Sequence, residues 1–180
     1  TVGDFDGNKT LILDAYRAHA TLSAHPRIDR SRIVLMGFSR GGQTTLYASL
    51  KRFHQAWDPE VAFAAYIPLY ASCNPTLIGD TDVSSVPIRM FHGAADDYVP
   101  VAPCRAYVER LRAAGRDALL TEFADAHHGY DNPLGGKVPA VMPGETVLAL
   151  QALVPEVHVG SDLLTWITRL VRATRPREST

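Results

Sequence analysis

Residues 32–42, RIVLMGFSRGG, decide the fold. Arg32 to Met36 is a short apolar run with β-branched members, the composition of a strand covered on both faces. The next six residues, GFSRGG, set a lone serine between glycines, and from Gly41 to Arg52 a helical pattern runs through Leu46, Tyr47 and Leu50. A residue that turns abruptly from strand to helix is held in a strained backbone conformation with its side chain thrust outward. Neighbours two positions away then have no room for Cβ, a need that Gly37 and Gly41 meet, while Gly42 lets the new helix pack closely. The helix amino end aims N–H groups at the space above Ser39, where negative charge would develop. Alone the pattern is weak: Gly-x-Ser-x-Gly arises by chance in roughly one chain of this size in sixteen. A plain glycine-rich turn stays credible until the serine has partners.

Working outward, Asn8 to Ala24 reads as a helix, with Leu11, Ile12, Ala15, Tyr16, His19 and Leu22 at three- and four-residue steps, stopped by His25-Pro26. Val61 to Leu69 reads as a second strand with Pro68 near its end, and 71–86 as a polar loop. Pro87 to His92 is a third strand, cut by Gly93. Val101 to Ala114 is a helix closed by Gly115, and Ala118 to Phe123 a fourth strand. Ser161 or Asp162 opens a last helix with Leu163, Leu164, Trp166, Ile167, Leu170 and Val171 on its apolar side. This alternation predicts an α/β fold: a mostly parallel sheet, helices on both faces, and functional loops at the carboxyl ends of the strands. Pro133 to Gly160 resists the scheme and is read as an irregular insertion, either a short helix or a flap over the site.

The 180 residues make one domain's worth of chain, long enough to bury a sizeable core. A net charge of −1, with 18 basic and 19 acidic residues intermixed, leaves no electrostatic footprint for nucleic acid. No apolar run approaches the ~20 residues of a membrane-spanning helix. The chain opens on Thr1 without a leader pattern, so processing or truncation stays open.

Partners for Ser39 exist in a telling order. HGAADDYVP, residues 92–100, offers Asp96 and Asp97 after the third strand; ADAHHGYD, residues 124–131, offers His127 and His128 after the fourth. Ser…Asp…His is the chain order of one group of hydrolases and differs from that of other serine enzymes. Three strand-end loops thus carry one member each.

These motifs resemble the α/β-hydrolase superfamily, and within it the dienelactone hydrolase-related group. GFSRGG resembles that group's elbow, HGAADDYVP its His-Gly-x-x-Asp-x-x-Val-Pro acid loop, and AHHGYD its Ala-x-His-Gly-Phe loop. The run RIDRSRI, residues 27–33, resembles its approach to the elbow strand. The similarity covers about Lys9 to Asn132, plus the final helix. It implies Ser39 as nucleophile, His128 as base and Asp96 as the acid that orients it, with the Arg40 N–H as one oxyanion donor and no metal or organic cofactor. Dienelactone hydrolases proper use cysteine, so Ser39 shifts the expectation towards serine carboxylesterases acting on small to medium esters. A thioesterase or acyl transferase with the same triad, or a non-catalytic binding domain, are the alternatives. The family's earlier strands, including the loop with the second oxyanion donor, have no counterpart here. A second polypeptide or a missing N-terminal segment is therefore expected to complete the fold and cover the elbow strand's edge.

Bland readings stand beside the sharp ones. Asp97 could cap the following helix, His127 could be a surface imidazole, and His92 shapes the strand end. Arg40 could attract a substrate carboxylate or simply be solvated. His19, His25, His54 and His158 share no ligand-like spacing. Tyr70, Tyr98 and Tyr130 are candidates for lining a pocket, and core packing explains them equally well. Cys73 follows the second strand and Cys104 opens the helix after the third; neighbouring strands bring these ends close, so one disulfide and two free thiols are both open. A bridge would point to an oxidising compartment, periplasmic or secreted, and free thiols to the cytoplasm.

Overall fold

The computed structural model describes residues 2–57, 60–74 and 77–132. The insertion expected over 133–160 and the last expected helix lie outside them. The chain begins with helix α1 (Val2–Ser23), followed by a short 3₁₀ turn at Arg30–Arg32 that Asp29 caps by accepting from the Ser31 N–H at 2.9 Å. Strand β1 (Val34–Phe38) leads into helices α2 (Arg40–Ala48) and α3 (Lys51–Trp57), then strands β2 (Ala65–Leu69) and β3 (Ile88–Gly93). Helix α4 (Ala102–Ala113) and strand β4 (Ala118–Phe123) complete the described part. The four strands are parallel, in the order β1-β2-β3-β4.

Helix α1 starts at Val2 rather than Asn8, and β1 runs two residues later than the expected Arg32–Met36. Two further elements depart from the periodicity for a reason visible in their contacts. The helix expected over 41–52 is two helices, because the loop before β3 competes for its backbone. Ser84 N–H donates to Ser49 O at 2.7 Å, Lys51 N–H to Asp82 O at 3.0 Å, and Leu50 bridges Val83. The second strand begins at Ala65 rather than Val61, because Ala62 and Ala64 are held by His19 Nε2 (3.1 Å) and by the Ile33 carbonyl (2.7 Å) instead of a neighbouring strand. Pro68 does lie in a central strand; the β2–β3 register pairs Tyr66 with Ile88 and Leu69 with Phe91, passing over the residue that has no N–H.

Register partners on parallel strands share a face. Tyr66, Ile88, Met90 and Ala118 share one and are buried, with Leu46, Leu111 and Tyr107 packed over them. All three crossovers advance the same way across the sheet, so the right-handedness of the two that carry helices sets α2, α3 and α4 on that face. Helix α1 joins the layer through Ile12 and Tyr16, both 1% exposed, and the Tyr16 hydroxyl donates to Ala48 O at 2.8 Å. The elbow strand was expected to be covered on both faces. Its opposite face instead presents Val34, Met36 and Phe38 at 44, 54 and 42% exposure, because the described helices lie on the other side. The carboxyl ends of β1, β3 and β4 meet at one rim.

Candidate active site

Ser39 is the single residue between β1 and α2. Its backbone lies at φ 51°, ψ −113°, a region that costs a non-glycine residue roughly 1–3 kcal/mol. Two hydrogen bonds hold it there: its N–H donates to Leu69 O at 3.0 Å and its carbonyl accepts from Gln43 N–H at 3.0 Å. The glycines around it divide their roles differently from the expectation. A Cβ on Gly37 would meet Gly41 O at 2.2 Å, and one on Gly42 would meet Leu69 O at 2.7 Å. A Cβ on Gly41 would meet nothing within 4 Å, because it is the Gly41 carbonyl that crowds Gly37. Steric need therefore falls on Gly37 and Gly42.

Asp96 sits in the loop that leaves β3. Its side chain is fully buried, and a carboxylate there requires partners on both oxygens. Oδ1 accepts from the Tyr98 and Val99 N–H groups at 3.1 and 2.7 Å. Oδ2 lies 2.9 Å from His128 Nδ1 and 3.4 Å from His92 Nε2. His128, in the loop after β4, extends the line: its Nε2 is 2.8 Å from Ser39 Oγ. With the Nδ1 proton held by Asp96, Nε2 is the ring atom open to accept from the hydroxyl. The two loops interlock at Gly93, where a Cβ would lie 2.1 Å from Ala126 O. Sequence reading saw Gly93 as a strand end; its contact with Ala126 depends on packing between distant segments.

The competing residues lie elsewhere. Asp97 and His127 face each other at 3.9 Å on the surface, with side chains 88 and 44% exposed. Arg40 is exposed and opens α2, whose first-turn N–H groups point out of the helix end beside Ser39. Tyr70 and Tyr98 set their rings edge-on to the His128 imidazole, with centroids 4.7 and 4.9 Å away. Tyr70 is buried, at φ 35°, and its hydroxyl donates to Asp131 Oδ1 at 2.7 Å. Burial, and then the bond to Asp131, push that phenol well above its ordinary pKa, so it stays a neutral donor. Tyr98 is 77% exposed, whereas Tyr130 is buried behind Tyr70 and against Phe123. Sequence reading missed Asp131; its place at the end of the 124–131 motif that carries His128 was the available signal.

Cys73 and Cys104 are bridged, tying the segment after β2 to α4 with Cα atoms 5.0 Å apart. Among the described residues no three His, Cys, Asp or Glu side chains assemble into a metal site, and no helix is long and apolar enough to cross a membrane. A cleft of about 650 Å³ between His19, Arg30, Glu60 and Phe63 opens near the amino ends of β1 and β2, away from Ser39.

Comparison with known proteins agrees with this architecture. The phospholipase/carboxylesterase family matches residues 10–134. Esterase LipC of Mycobacterium tuberculosis is 34% identical over 73 residues, covering 40% of this chain and 17% of that protein. Native esterase 2 of Thermogutta terrifontis superposes with a TM-score of 0.61 at 20% identity, over 83% of this chain and 65% of that one. A dienelactone hydrolase-like promiscuous phosphotriesterase from metagenomic libraries gives 0.58 at 23% identity, over 76% and 55%. The chain thus spans less than two thirds of the length of each of these proteins. A parallel sheet with a strained serine where its first strand enters a helix, and a family match over more than half the sequence, place the chain in the phospholipase/carboxylesterase family of α/β-hydrolases.

Proposed function

We propose that the protein is a serine hydrolase that cleaves small to medium carboxylic esters through an acyl-enzyme. The observation that carries this reading is the unbroken hydrogen-bonded line from Ser39 Oγ through His128 to buried Asp96, anchored on a backbone strained at Ser39. His128 Nε2 takes the Ser39 proton as Oγ attacks the ester carbonyl carbon. Asp96 balances the imidazolium. The same proton then passes to the leaving alkoxide, freeing an alcohol and leaving the acyl group on Ser39. Water, deprotonated by His128, attacks the acyl carbon, and the serine recovers its proton as the carboxylic acid departs. The Arg40 N–H supplies one oxyanion donor at the amino end of α2.

Tyr70 and Tyr98 border the imidazole and form part of the substrate's surroundings; Tyr130 supports Tyr70 from behind. The outer edge of β1, unpaired among the described residues, is where a further strand joins, from a second polypeptide or from a longer amino-terminal segment, bringing the second oxyanion donor. The Cys73–Cys104 bridge supports a periplasmic or secreted location.

A fluorophosphonate probe followed by peptide mapping tests the reading; esterase 2 of Thermogutta terrifontis is itself described as phosphorylated by paraoxon. The expected adduct is on Ser39 and is lost in Ser39→Ala and His128→Ala. Absence of the adduct, in a longer version of the chain as well, would favour the non-catalytic alternative. Nitrophenyl esters of graded acyl length then report the space around the serine, and thiol or alcohol acceptors distinguish hydrolysis from acyl transfer.

A further inference from the structure

His92, the penultimate residue of β3, is 1% exposed and has no role in the scheme above. Its Nε2 lies 2.8 Å from Val99 O and 3.4 Å from Asp96 Oδ2. A carbonyl oxygen only accepts, so Nε2 carries the proton and Nδ1 is the bare nitrogen. That Nδ1 is buried with no hydrogen-bond partner. An apolar residue of similar size would fill the space without leaving a buried acceptor unpaired, so packing alone does not favour histidine here.

The one useful proton on the ring explains the choice. Val99 gives its N–H to Asp96 Oδ1 at 2.7 Å and its carbonyl to His92 Nε2–H, so both sides of one residue are committed. The circuit runs from His92 to Val99 to Asp96 and back across the 3.4 Å gap to His92. It fixes the acid loop at its far end and presents an N–H dipole to Oδ2, the oxygen that also takes the His128 Nδ1 proton. We propose that His92 is a positioning residue for Asp96, holding the Val99 end of the acid loop so that the carboxylate stays aimed at His128. The inference rests on the serine-hydrolase reading for its effect on turnover, while its effect on the Asp96–His128 bond stands separately.

The test compares three variants of the full chain with wild type. His92→Gln sets an amide N–H near the Nε2 position, His92→Asn reaches only the Nδ1 position, and His92→Phe removes the donor. Melting curves confirm which variants fold, and kinetics on a nitrophenyl ester are read well below every melting temperature. His92→Asn and His92→Phe are expected to lower kcat roughly 10- to 100-fold with little change in KM, the effect of losing a hydrogen bond that orients a charged group. His92→Gln is expected to recover kcat to within about threefold. In proton NMR, the far-downfield signal of the His128 Nδ1 proton is expected in wild type and His92→Gln and broadened or absent in His92→Asn.

If His92→Phe does not fold, the contrast between Asn and Gln decides. Equal kcat and an equal downfield signal in those two variants would overturn the proposal, as would a wild-type spectrum without the signal. A wild type that shows the signal but turns over no ester refutes the hydrolase reading alone; the spectral contrast between Asn and Gln then decides the role of His92.

Discussion

Replacing Gly93 by alanine tests whether the close approach of two loops is what brings His128 to Ser39. The new Cβ would lie 2.1 Å from Ala126 O and 2.6 Å from its carbonyl carbon, where ordinary contact begins near 3.4 Å. Both offending atoms belong to the backbone, so no side chain can rotate away. The base loop must retreat by more than 1 Å. His128 lies two residues beyond Ala126, and its bonds to Ser39 and Asp96, at 2.8 and 2.9 Å, are near the middle of a range that closes by about 3.2 Å. A misplacement of roughly 1 Å in reacting groups costs on the order of 100-fold in rate. Forcing a methyl into a packed site costs about 1–3 kcal/mol, or roughly 2–12 °C in Tm for a chain of this size. Initial rates on nitrophenyl acetate and melting by circular dichroism measure the two effects separately. Gly41→Ala is the folding control: its Cβ meets nothing within 4 Å, and alanine for glycine in the first turn of α2 should leave Tm unchanged or slightly higher. A Gly93→Ala protein that folds and keeps kcat/KM within about threefold of wild type would refute the reasoning.

Three further outcomes are expected. Asp96→Asn should lower kcat by about 10³–10⁴, whereas Asp97→Asn, whose side chain is 88% exposed, should stay within about twofold; comparable losses would overturn the choice of acid. Reducing the Cys73–Cys104 bridge, which closes a separation of 31 residues, should remove about 3–4 kcal/mol of stability, read as the denaturation midpoint with and without reductant. The Arg105 side chain, chiefly through its hydrogen bond, holds the Glu122 carboxyl below its ordinary pKa. A depressed folded-state pKa contributes stability above the unfolded value that is lost as pH falls through the folded one. Glu122→Gln should therefore lower Tm more at pH 7 than near pH 3, and equal differences at both would count against the pair.

Where local chemistry sets a boundary, the sequence showed it. Gly115, at φ 73°, ends the segment after α4, and Pro87 and Gly93 bracket β3, so both elements lie within a residue of their expected limits. The break between α2 and α3 was hidden, because Leu46, Tyr47 and Leu50 keep helical spacing straight through it. Its cause, the 82–84 segment taking Ser49 and Lys51, is remote in sequence. The candidate site divides the same way. Ser39, Asp96 and His128 could be picked out because each follows a strand in a recognisable motif. That Gly42 and not Gly41 shares the steric need with Gly37, and what Gly93 and Asp131 do, follow from contacts between packed segments, which no periodicity encodes.

The line from residue 39 to residue 128 joins positions 89 apart, with residue 96 reached from the far end across another 32. No fragment ending before the fourth strand contains the imidazole, and none starting within α2 contains the hydroxyl. On a ribosome, the three side chains thus stay scattered until the four described strands have been synthesised and aligned, a slow event for contacts this non-local. Appearance of turnover during refolding would accordingly time the last step of sheet assembly, whereas far-ultraviolet signals report the earlier helices.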